Sequence, residues 1–263
     1  MKVEDILSGE IRIVADEDLS IRSISQFQSD AMPFTVDEAD TALVNGLIDV
    51  REYCRCLISV EPLVDTLLDG DDQVRKGATF ELKRRGGRNA VKLLEQALDD
   101  PSEEVRLFAA EALEKLDSVY NEAINGLIER IREKASRRLH FLLGRVYFDY
   151  AFKGMYDREM GTIYYEKAVV EFERCLKLSG EVKNWEIWQF LGAAYYELGD
   201  YQKSLHWYEK TRSQQGESAN LLIRFAAVCF AQGKYDEVKK ICKRIREEFG
   251  DADYGEVLRL WTT

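Results

Sequence analysis

Apolar positions recur through most of the chain at intervals of three and four, the spacing that places them on one face of a helix. Residues 37–58 follow this pattern and predict one helix, capped near Asp37. Two stretches then resemble each other. Leu68 is followed by the acidic turn Asp69, Gly70, Asp71 and Asp72, then Val74, Arg75, Ala78 and Leu82. Leu98 is followed by Asp99, Asp100 and Pro101, then Val105, Arg106, Ala109 and Leu113, which sets the two Val-Arg pairs 31 residues apart. Each acidic turn supplies oxygens to cap the next helix, and each arginine is placed to reach back to an acidic turn. Helix pairs are predicted near 62–69 and 73–85, then 88–98 and 102–116. The break at Arg85-Gly86-Gly87-Arg88 reads as a helix end, since no strand precedes it to form a phosphate cradle.

A second period is sharper. Trp188, Leu191, Gly192, Tyr195, Gly199, Tyr201, Ser204 and Tyr208 map, 34 residues on, to Leu222, Phe225, Ala226, Cys229, Gly233, Tyr235, Val238 and Cys242. Both copies keep a Gly-x-Tyr turn, and Gly192 and Ala226 are small where two helices must approach. An upstream copy comprises Leu143, Gly144 and Tyr147, then Ala168, Phe172 and Cys175, with its halves 12 residues further apart. Residues 149–161 must therefore extend a helix or form a loop. Residues 117–137 predict a long connecting helix, and 254–261 a helix capping the end. Residues 1–33 alternate weakly and fit either short strands or an extended arm.

The 31-residue units resemble HEAT-type repeats, and the 34-residue units resemble tetratricopeptide repeats. The expected fold is all-α, a right-handed solenoid in which a HEAT-like pair continues into a tetratricopeptide array. The expected divisions are an acidic arm over 1–36, a helix and HEAT-like repeats over 37–117, a connecting helix over 118–137 and the array with its cap over 138–263.

Charge narrows the partners. The net charge of −11 argues against general nucleic-acid affinity, because phosphate neutralisation needs surplus Lys and Arg. Residues 1–60 hold five basic and twelve acidic side chains, so the front end is the most acidic part. Five cysteines without framework spacing fit a reducing, cytoplasmic setting, and the Cys54/Cys56 pair lacks the further ligands of a metal site. Lys2 is followed by acidic residues rather than an apolar leader, and no run is long and apolar enough to span a bilayer, so a soluble chain is expected. No Ser/His/Asp set, Gly-rich phosphate loop or metal spacing appears, so neither catalysis nor a cofactor is expected. The two histidines, His140 and His206, read as packed or surface residues.

The positive signal is a surface. In a tetratricopeptide superhelix the first helix of each repeat lines the concave groove. Counting from the pattern, the groove residues are Arg138, Phe141, Arg145 and Phe148, then Gln189, Tyr196 and Glu197, then Asn220, Ile223 and Phe230. Phe148, Tyr196 and Phe230 occupy one position in successive repeats and predict an aromatic stripe for an apolar protein segment. The Lys and Asn residues that clamp acidic chain ends are missing, their places held by Phe141, Arg145, Gln189, Ala193, Ile223 and Ala227. An adaptor binding protein segments is the leading expectation, and a ligand- or peptide-responsive regulator the alternative. Another part of the chain, either 1–33 or the terminal helix, is the rival occupant of the groove.

The order of the repeats carries one more resemblance. Residues 62–212, through Leu63–Leu68, the 97–116 segment with Val105-Arg106 and Ala109-Ala110, and 139–165, are similar to the cytoplasmic part of the PelE family of the bacterial Pel exopolysaccharide machinery. That resemblance implies a scaffold at the inner face of the cytoplasmic membrane. The implied partner is PelD, a cyclic di-GMP receptor, and through it the polymerising glycosyltransferase. Members of that family begin with membrane-spanning helices, which this sequence does not carry.

Overall fold

The computed structural model describes residues 66–249, apart from 69, 86 and 155–157. The expected arm over 1–36, the helix over 37–58, most of the helix near 62–69 and the cap over 254–261 lie outside the described residues. Within them the regular elements are all helices: α1 (Asp72–Arg85), α2 (Gly87–Ala97), α3 (Glu103–Glu133), α4 (Arg137–Lys153), α5 (Arg158–Lys177), α6 (Asn184–Glu197), α7 (Tyr201–Gln215), α8 (Ala219–Ala231) and α9 (Tyr235–Phe249). Packing is overwhelmingly between chain neighbours, with α1 and α2 both laid on α3 and α2 also touching α4. That is the contact pattern of a solenoid, in which each unit buries its apolar face on the next.

The first array is held by polar contacts between layers. Arg75 is buried, and its Nε and Nη2 donate to the Asp100 carboxylate at 2.8 and 3.0 Å. The arginine thus reaches forward to the following turn, not back as the repeat suggested. The cause is packing: α1 lies on α3, so Arg75 meets the turn that opens α3. Arg106 stays at its own turn, donating to the carbonyls of Asp100 and Pro101. Beside this pair, Lys76–Glu104 and Lys83–Glu111 bridge the same two helices at the surface, where ion pairs contribute little.

One long helix leads from the first array to residues 134–136, after which α4 opens the second. α3 runs unbroken across 117, where the sequence suggested a boundary. Polar side chains at this point bond along the helix. Asn121 donates to Asp117, and Ser118 donates to Glu122, each four residues apart. Tyr150 of α4 donates to Asp117 and stacks on Tyr120 at 4.9 Å, which pins α4 to the middle of α3.

The 34-residue period has a local cause at each turn. Gly199 and Gly233 adopt φ of 77° and 72°, the left-handed conformation that ends a helix. The N–H of Asp200 donates to Tyr195 and that of Gly199 to Tyr196; Lys234 and Gly233 repeat this to Cys229 and Phe230. Asp200 then caps α7 by accepting from the Lys203 N–H at 3.1 Å. The extra residues of the upstream copy lengthen both helices, by about one turn in α4 and about two in α5.

Close approach explains the small residues. A Cβ on Gly192 would lie 2.4 Å from the Tyr208 ring, and one on Gly144 would lie 2.7 Å from Phe172. In the last pair Cys242 replaces the ring, and Ala226 is accommodated in the same cluster. Ser204 adds a buried hydrogen bond of 2.7 Å to the Gly192 carbonyl. Gly192→Ala is therefore expected to destabilise by about 2 kcal/mol, because α6 and α7 must separate. A urea midpoint equal to that of the wild type would reject close approach as the reason for this glycine.

Candidate protein-interaction face

The first helices of the three pairs, α4, α6 and α8, carry every residue predicted for the groove, but the structure treats them differently. Arg138, Glu197 and Phe230 are exposed, while Gln189, Tyr196, Asn220 and Ile223 are half-buried. Phe141, Arg145 and Phe148 are buried.

The expected aromatic stripe is corrected by these burials. Phe148 is only 3% exposed, covered by Phe152, Tyr165 and Phe190 at centroid distances of 6.2, 5.4 and 5.7 Å. Tyr196 packs on Tyr201 at 5.9 Å, and Phe230 on Tyr235 at 5.5 Å. The pairs Phe148–Tyr165, Tyr196–Tyr201 and Phe230–Tyr235 occupy corresponding places in the three helix pairs. Each column residue is thus stacked on the second helix of its own pair. The column is internal cement that emerges toward the end of the chain, where Phe230 is 47% exposed. The Tyr of the Gly-x-Tyr turn was the available sequence signal for two of these pairs.

Polar groups remain along the face. Glu197 is exposed, yet protein crowds it enough for desolvation to raise its carboxyl pKa, against the pull of Arg88. Glu186, half-buried, is raised for the same reason, against Lys183, Arg145 and Arg137. Arg88 of α2 was not foreseen here: its guanidinium lies 5.4 Å over the Phe152 ring, and its charge acts on Glu197 and Tyr165. The first array therefore contributes to the face built by the second. Nothing local in the sequence signals this, because the contact depends on α2 folding against α4.

The two histidines differ in setting. His140 is buried with Nδ1 2.6 Å from Glu171, whose other oxygen accepts from Arg174 at 2.6 Å. His206 is exposed at the edge of the Trp207 ring. Among the described residues no group of three or more His, Cys, Asp or Glu side chains is placed to hold a metal ion. Cys54 and Cys56 lie outside the described residues. Among the described residues no helix is long and apolar enough to cross a membrane.

These features define an all-α helical-repeat solenoid. The family model described as HEAT repeats matches residues 60–141, from before α1 into the first turn of α4. No curated protein matches the chain. Repeats of the HEAT family are in general protein-interaction scaffolds, and a solenoid presents the broad rigid surface that role needs.

Proposed function

We propose that this protein is a non-enzymatic adaptor that binds protein segments along the concave face of α4, α6 and α8 and so assembles a larger complex. In this reading, residues 138–263 are a tetratricopeptide array continuing the HEAT repeats. The turns at Gly199 and Gly233, the ring contacts at Gly144 and Gly192, and the three aromatic pairs support it. The observation that carries the binding role is the shared face of α4, α6 and α8, where Arg138, Glu197 and Phe230 are exposed beside half-buried Gln189, Tyr196, Asn220 and Ile223.

The resemblance to PelE extends this reading. The length of α3, which spans the stretch between the two arrays, and its packing on α4 fit one continuous scaffold. The partner would then be the cyclic di-GMP receptor PelD, at the inner face of the membrane.

The test is affinity capture from native lysate, membrane fraction included, using the full chain and an Arg138→Glu, Gln189→Lys, Glu197→Gln variant. These positions are exposed or half-buried, so the variant should melt with the wild type while partner recovery falls about tenfold or more. Equal recovery would reject the concave face as the binding surface. Absence of PelD from the wild-type capture would remove the Pel assignment alone.

A further inference from the structure

Arg145 stands apart from the other cations of the face. It is 5% exposed, and its Nε has no hydrogen-bond partner. Among the described residues its guanidinium makes no hydrogen bond or ion pair; its ring contact is with Phe190, 5.4 Å from the centroid. Arginine cannot shed its proton to escape burial. A buried charge without a partner is costly, and a cation–π contact recovers only part of that cost. Glu186 is near enough to feel Arg145, but the two are not within ion-pair distance. The corresponding residues of the next two helix pairs are Ala193 and Ala227, small side chains that continue the same row.

We propose that Arg145 is a seat for one carboxylate side chain of a partner protein's peptide lying along α4, α6 and α8. The guanidinium offers two parallel N–H donors to a carboxylate, the pairing its planar fork fits best. The surroundings choose the rest of the ligand. Glu186 and Glu197 lie on α6, on the same face, and favour basic residues beside that single acid. The acids near the chain's own N-terminus come in groups, Glu4-Asp5 and Asp16-Glu17-Asp18, which these two glutamates would repel. The seat thus selects a peptide with one Asp or Glu flanked by Lys or Arg. This inference rests on the adaptor reading and specifies its ligand.

The probe is a random dodecamer peptide display library, selected on the full-length chain. Selected peptides should share one acidic position with basic neighbours. Converting that acid to its amide should weaken binding about 10- to 100-fold. With Arg145→Met, acid and amide peptides should bind alike, and Tm should stay level or rise by about 2–6 °C because an unpaired buried charge has gone. Peptides selected without an acidic position, or an acid preference that persists in Arg145→Met, would overturn the seat and leave the adaptor reading standing. A lower Tm in Arg145→Met would show the arginine to be a structural residue and also overturn the seat. No selection at all would overturn both. A third chain, with Glu4, Asp5, Glu10, Asp16, Glu17 and Asp18 changed to their amides, should bind the peptides as the wild type does. A gain in its affinity would assign the seat to the chain's own N-terminal segment instead.

Discussion

Phe190→Ala is expected to destabilise the protein by about 3–5 kcal/mol, the range for removing a fully packed ring. Phe190 is 2% exposed, and its ring meets Phe141 at 5.6 Å, Phe148 at 5.7 Å and Phe172 at 5.4 Å. Those three rings come from α4 and α5, whereas Phe190 comes from α6. Its loss therefore removes the main apolar joint between the first helix pair of the second array and the next. In a quasi-one-dimensional protein, a weakened joint lowers cooperativity as well as stability. Urea unfolding followed by far-UV circular dichroism should show a lower midpoint and a shallower transition. Phe230→Ala is the control, expected to cost about 1 kcal/mol, since that ring is half exposed at the end of the same column. If the two variants lose equal stability, the joint is not where these rings place it.

The contrast between Phe190 and Phe230 also shows where sequence stops being informative. The 34-residue period could be read because its causes are local. Gly199 and Gly233 take a conformation that other residues resist, and Gly192 must be small against Tyr208. Such requirements leave a trace at fixed spacing. The direction a column faces leaves none. Phe148, Tyr196 and Phe230 share one position, yet their exposure is set by what the next helix pair lays over them. Arg145 was legible as a residue of the face but not as a buried cation, because the Phe190 ring it meets comes from α6, more than thirty residues on. Arg75 had acidic turns on either side, and only the packing of α1 on α3 decides between them.

That choice leads to a second large effect. Asp100→Asn is expected to destabilise by about 2–3 kcal/mol at neutral pH, because it takes the Asp100 carboxylate away from the covered Arg75 guanidinium. The side chains of Arg75 and Asp100 are 9% and 7% exposed, but Asp99 and Pro101 on either side are open to solvent, so the loss belongs below the range for deeply buried pairs. The amide can still accept from the Ser102 N–H, which Asp100 binds at 2.8 Å, so the turn before α3 keeps that bond and the ion pair is what disappears. The pH dependence has a definite sign. The hydrogen bonds from Arg75 hold the Asp100 carboxyl below its ordinary value of 3.8, against the opposing effect of burial. The folded state therefore gives up this proton more readily than the unfolded state. The stabilisation is complete above the unfolded value and is lost as pH falls through the folded one. Wild type and Asp100→Asn should differ most at pH 7 and converge as pH drops below about 4. Glu104→Gln, which breaks the exposed Lys76 pair on the same two helices, should change stability little at pH 7. A gap between wild type and Asp100→Asn that persists unchanged into acid would mean that the carboxylate charge is not what joins α1 to the turn before α3.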